Sequence, residues 1–116
     1  MYRKGDNTMR TLRFIVEDQI ITQDPDCDFS NLVPGTEGYI QAEFIFSPEW
    51  DGYTKVASFS SGRNEYTPKI LEGGQTCLIP TEALARYIFM VRVLGRKNDT
   101  KLKTNSVAVR QNGGKV

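Results

Sequence analysis

Tyr39-Ile40-Gln41-Ala42-Glu43-Phe44-Ile45-Phe46 is the stretch that decides the fold. Ile40, Ala42, Phe44 and Phe46 fall at every second position, with Gln41 and Glu43 between them. Successive side chains of an extended chain point to opposite faces. The alternation therefore predicts a strand with one face in a core and the other toward water. Ser47-Pro48-Glu49-Trp50-Asp51-Gly52 then breaks the strand, with proline and glycine as punctuation. Trp50, beside a strand end, reads as a plug for the core, because its ring carries a large apolar area.

Working outward toward the N-terminus, Thr11 to Val16 alternates with Leu12, Phe14 and Val16 on one face. Glu17-Asp18 can turn the chain, and Gln19 to Thr22 can return as a second strand. Gln23 to Gly38 is rich in Asp, Pro, Gly and Asn and predicts a long loop. Residues 1–9 are polar and predict a loose arm. Toward the C-terminus, Tyr53 to Ser60 is a strand, followed by the turn Ser61-Gly62-Arg63-Asn64. Glu65 to Leu71 carries Pro68, which cannot donate to a ladder and so places the segment at an edge or bulge. Gln75 to Ile79 is a further strand. Pro80 to Arg86 is the best helical candidate, one or two turns long. Tyr87 to Leu94 is apolar on both faces apart from Arg92, which predicts a central strand. Gly95 to Thr100 reads as a hairpin loop, Asn105 to Arg110 as the last strand with Val107 and Val109 inward, and 111–116 as a polar tail.

The sum is about seven or eight short strands with one short helical turn, the pattern of an all-β antiparallel sandwich or small barrel. The 116 residues predict a single domain over 10–110. Phe44, Phe46, Phe59, Ile79, Phe89, Val91 and Val107 are the expected core, with Trp50 at one end.

Composition closes several routes. The chain has no histidine, which removes Ser-His-Asp and Cys-His catalysis and histidine-bearing zinc sites. No catalytic, cofactor or metal residues are expected, and an enzyme is not the expected class. The net charge of +1 gives no whole-molecule reason to expect nucleic acid as a partner. No apolar run reaches membrane-spanning length, so no membrane partner is expected. Met1 to Asn7 has no apolar stretch behind its basic residues, so export by a signal peptide is not expected. Cys27 and Cys77 are then expected as free thiols.

Two constellations invite a chemical reading. Asp24, Asp26 and Asp28 begin like a calcium loop, but Phe29 stands where an EF-hand needs glycine and Gly35 where it needs glutamate. The simpler reading is a solvated loop whose Asp side chains bond nearby backbone N–H groups. Arg63 lies in one predicted turn, Arg96 and Lys97 in another, and Lys101 and Lys103 follow. If the two hairpins share one end, these residues make a basic rim. With Tyr66 or Tyr53 beside it, such a rim can hold a phosphate or a nucleotide base. The simpler reading is solvated charge that guards the sheet edges.

From Phe44 onward the chain resembles a family of small virion proteins of phages and prophages of Gram-positive bacteria. The resemblance rests on Phe44 to Phe59, with its Glu49-Trp50-Asp51-Gly52 turn and its Thr54-Lys55-Val56-Ala57-Ser58-Phe59 strand. Cys77 to Leu84, Val91 to Gly95 and Thr104 to Val109 follow in the family's order. It covers roughly residues 38–110 and implies an immunoglobulin-like sandwich at a tail, baseplate or head fibre. It also implies a protein made in the bacterial cytoplasm and carried in the particle, with other virion proteins as partners. Such a protein would act through protein–protein contacts in several copies, as a homo-oligomer. Edge strands would serve that role, with 10–22 and 105–110 the candidate edges. The alternative is a small soluble phage effector that binds a host protein or sequesters a nucleotide-like ligand.

Overall fold

The computed structural model describes residues 9–112. Residues 1–8 of the expected arm and 113–116 of the expected tail lie outside the described residues. The strands are β1 (Arg10–Glu17), β2 (Ile20–Gln23), β3 (Ile40–Phe46), β4 (Thr54–Ser61), β5 (Asn64–Glu65), β6 (Lys69–Ile70), β7 (Thr76–Leu78), β8 (Ile88–Lys97), β9 (Thr100–Lys103) and β10 (Val107–Arg110). Among the described residues, helix is confined to a 3-10 turn at Pro48–Trp50 and one short helix, α1, at Thr81–Leu84. The fold is an all-β sandwich.

One sheet runs β2-β1-β3-β7 and the other β10-β8-β4-β5, with β6 also on β4 and β9 also on β8. β5 and β6 share one side of β4, and β9 and β10 share one side of β8. Ten labelled strands therefore occupy eight lanes. The Glu65–Leu71 strand of the sequence reading is split in two around Tyr66-Thr67-Pro68, where proline denies the ladder its donor. The Gly95–Thr100 loop is shorter than expected. β8 continues to Lys97 and only Asn98-Asp99 turn, Asn98 taking φ 55°.

Among the described residues every pairing is antiparallel except β1 with β3, which run parallel with Phe14 beside Phe44. The cause is the path of the loop after β2. β2 ends at the end where β1 began, and the chain then takes up the other side of β1. β3 starts there, with Ile40 beside Arg10, and so runs with β1.

The two sheets close on one core. Leu12, Phe14, Val16, Ile40, Ala42, Phe44, Ala57, Phe59, Phe89, Val91 and Val93 are buried between them, with Ile79 and Val109. Of the expected core, Phe46 and Val107 are only half-buried, packed against its margin. A column of rings runs through it, from Phe29 on Phe14 to Phe44, Phe46, Trp50 and Tyr53, with neighbouring centroids 5.3 to 6.2 Å apart. Trp50 is fully buried, and its Nε1 donates to the Asp18 carbonyl at 2.7 Å. The indole thus plugs this end of the sandwich and pins the β1–β2 turn. α1 marks the other end.

The candidate edges are less open than expected. β1 is interior, flanked by β2 and β3. The Ile21 N–H of β2 donates to Asn105 Oδ1 at 2.8 Å, and Gln23 Nε2 donates to the Ala108 carbonyl at 3.0 Å. The 105–110 segment therefore covers β2 within the same chain. The polar tail also begins later than residue 111. Gln111 is buried, its Nε2 donating to the Leu84 and Arg86 carbonyls at 2.8 Å each.

Candidate functional site: the outer face of the second sheet

β8 lies centrally in its sheet, but only one of its faces is in the core. Phe89, Val91 and Val93 point inward. Ile88, Met90, Arg92, Leu94 and Arg96 point outward, and Ile88 keeps 37% of its surface exposed. β8 is thus central in its sheet, as its apolar content predicts, yet open on one face. In a two-layer sandwich each sheet has only one partner layer.

Register extends this outer face across the sheet. Leu94 stands between Val56 of β4 and Lys103 of β9, and Arg96 between Thr54 and Lys101. Ile70 of β6 stands beside Val56 and is 70% exposed. Two adjoining hollows sit over these residues. One, of about 330 Å³, is lined by Thr54, Val56, Pro68, Leu94, Gly95, Arg96 and Lys101. The other, of about 450 Å³, adds Tyr66, Ser58, Glu65 and Arg92 and shares Pro68 and Leu94. Together they form a groove with an apolar floor and a cationic rim at its Trp50 end.

Glu65 organises the second hollow. Its Oε2 accepts from Arg92 Nη2 at 3.0 Å and from the buried Ser58 hydroxyl at 3.2 Å. Arg92 is therefore held against the sheet. No acidic partner of Arg96, Lys101 or Lys103 is found among the described residues.

Of the residues proposed from sequence, Tyr66, Arg96, Lys101 and Lys103 share this face. Arg63 does not. It follows Ser61 and Gly62 at the α1 end, where Ser61 and Gly62 line a hollow with Arg86 and Ile88. The two hairpins lie at opposite ends of β4, separated by about 25 Å at roughly 3.4 Å per residue. Lys97 lies on the other side of β8. Its Nζ sits 4.9 Å from the Tyr53 ring centre and donates to the Asp51 carbonyl at 3.3 Å, so it braces the Trp50 turn.

The acidic loop uses its side chains locally. Asp24 Oδ1 accepts from the Asp26 N–H and Asp28 Oδ1 from the Ser30 N–H, both at 2.9 Å. The Ser30 hydroxyl and N–H hold the Asp28 carboxyl below its ordinary pKa. Asp24 Oδ2 also faces Arg13 at 3.4 Å, and Glu43 holds the same guanidinium at 2.9 Å. Among the described residues no group of three His, Cys, Asp or Glu side chains converges as metal ligands do. Cys27 and Cys77 stand as separate thiols, and burial pushes Cys77 up to about 12. Among the described residues no helix is long and apolar enough to cross a membrane.

Sequence reasoning missed Val56, Pro68 and Leu94 as surface residues. The signal was present in the second apolar face of Tyr87–Leu94, which was read only as the mark of a central strand. No family model, no curated protein and no solved structure matches the chain.

Proposed function

We propose that the protein is a phage virion structural or decoration protein that acts through protein–protein contacts, with the outer face of the second sheet as its contact surface. The observation that carries this reading is the groove. Val56, Pro68 and Leu94 make an apolar floor, Ile70 stands exposed beside it, and Arg96, Lys101 and Lys103 flank it. A broad apolar strip with a charged rim has the anatomy of a protein interface.

The virion assignment draws on the family resemblance. The residues that carry it also meet in space. A Cβ on Gly95 would lie 2.9 Å from the Trp50 ring, so the Glu-Trp-Asp-Gly turn and the Val-Arg-Val-Leu-Gly strand fit one another. That mutual fit supports reading the separated segments as one signature.

Mass spectrometry of purified particles, with a null mutant, tests the assignment. The protein is expected in the particles at several copies, and the mutant is expected to give defective ones. Absence from the particles with normal mutant progeny contradicts it.

A second reading has its own observation. Tyr66 and Arg92 line the larger hollow of about 450 Å³, a ring and a guanidinium that suit a nucleotide-like ligand. Under this reading the protein is a small effector that sequesters such a ligand. Calorimetry against nucleotides separates the two. Micromolar binding lost in Arg92→Ala supports the effector, and no heat supports the contact surface.

A further inference from the structure

The chain separates its charge along its length. Among the described residues it holds nine Asp and Glu against two Arg through Gly52, and four Asp and Glu against ten Lys and Arg from Tyr53 onward. The fold turns this into a separation in space. β1, β2, β3 and the loop after β2 build the first layer together with the uncharged β7, while β4, β5, β6, β8, β9 and β10 build the second. A molecule of almost no net charge thus has one acidic and one basic side.

The loop at 24–39 belongs to the acidic side. Asp26 and Glu37 are exposed, and between and beside them Val33 and Tyr39 leave 58% and 47% of their surfaces in solvent. Its mid-point is tied to the α1 end, where the Gly35 N–H donates to the Leu84 carbonyl at 2.9 Å. The cationic rim of the groove lies at the Trp50 end of the opposite sheet. A chain cannot bring its own loop to its own groove. A neighbour can, and it would offer apolar side chains to an apolar floor and carboxylates to a cationic rim.

We propose that the groove of Val56, Pro68 and Leu94, rimmed by Arg96, Lys101 and Lys103, receives the 24–39 loop of a second copy of this chain. The contact is head-to-tail, so it repeats, closing into a ring or extending as a row. This deepens the assembly reading and rests on it for its biological setting, but the contact itself is testable in solution.

Sedimentation of the full chain is the test. Wild-type protein is expected to associate at roughly 0.05 M salt, with an association constant that falls about tenfold or more by roughly 0.5 M as screening shortens the reach of the charges. The variants K101E/K103E and D26K/E37K change exposed residues only and are expected to melt like wild type. Each alone is expected to remain monomeric, and an equimolar mixture to associate again, because the reversed faces match.

Association of K101E/K103E as tight as wild type overturns the proposal, since another surface would then be responsible. A wild type that stays monomeric at low salt overturns it as well. If that monomer binds an oligothymidine through Lys101 and Lys103, the groove takes a polyanion instead. Monomeric protein that is nonetheless present in particles removes the head-to-tail contact and leaves the assembly reading standing. Association in solution with absence from particles does the reverse.

Discussion

Gly95 sits in the middle of a strand at a position without positive φ, so its need for glycine is one of space. An added Cβ would meet Trp50 at 2.9 and 3.1 Å and Tyr53 at 3.2 Å. Gly95→Ala is expected to cost about 1–3 kcal/mol by overpacking. Trp50→Phe should relieve part of that cost in the double variant, a coupling that denaturant unfolding measures. Phe44→Ala, at a fully buried ring in the aromatic column, is expected to cost about 3–5 kcal/mol by leaving a cavity. Alternation alone placed Phe44, Phe59 and Phe89 in the core, because a period of two names the inward face. It could not name Gly95, whose role depends on a tryptophan 45 positions away in sequence. Titration adds a test at the same scale. The Glu49 carboxyl shares a hydrogen bond with Asp18 and is repelled by its charge, which raises its pKa. An acid that holds its proton more tightly folded than unfolded favours the fold as pH falls through that range and opposes it as pH rises. Glu49→Gln should therefore raise the melting temperature at neutral pH, with the gain disappearing below about pH 4. Asp28 has the opposite sign. Its lowered pKa gives stability above the ordinary carboxylate range that is lost on acidification. Thiol reagents are expected to modify half-buried Cys27 well before Cys77, whose buried thiol ionises only near 12.

At the scale of the element, β8 shows both the reach and the limit of sequence reading. Its central place followed from its apolar content, and β4 on one side with β9 and β10 on the other bear that out. Which of its two apolar faces looked outward depended on how the layers stack, and periodicity carries no such information. The same limit explains the parallel pairing of β1 with β3. The alternation of each strand was plain, but the neighbour each takes is set by the path of the 24–39 loop. The chain's own edge cover was equally hidden, since Asn105 and Gln111 read as polar terminal residues. Asn105→Ala should cost about 0.5–1.5 kcal/mol, because the Ile21 N–H loses its acceptor. Gln111→Ala should cost more, about 1–3 kcal/mol, since two carbonyls at the α1 end lose one buried donor. Chemical denaturation of both variants checks the order. An Asn105 variant that loses more than the Gln111 variant would contradict it.

For the whole molecule, the two layers differ in charge as well as in surface, and neither difference was visible in the net charge of +1. The candidate site was half legible. Tyr66, Arg96, Lys101 and Lys103 were drawn from turns and strand ends and do share a face, whereas Arg63 and Lys97 depended on hairpin positions that only the register fixes. The apolar floor of Val56, Pro68 and Leu94 between the cations was not read from the sequence, because periodicity does not say which apolar face meets the second sheet. The central claim is that this face is the contact surface of an assembly protein, and lysine footprinting tests it most directly. Lys101 and Lys103 are exposed in the free chain and should acetylate readily there. In purified particles both should be protected, with reactivity reduced about tenfold or more, as expected for side chains at the rim of a buried interface. Equal reactivity of Lys101 and Lys103 in the free and particle-bound protein would contradict the account.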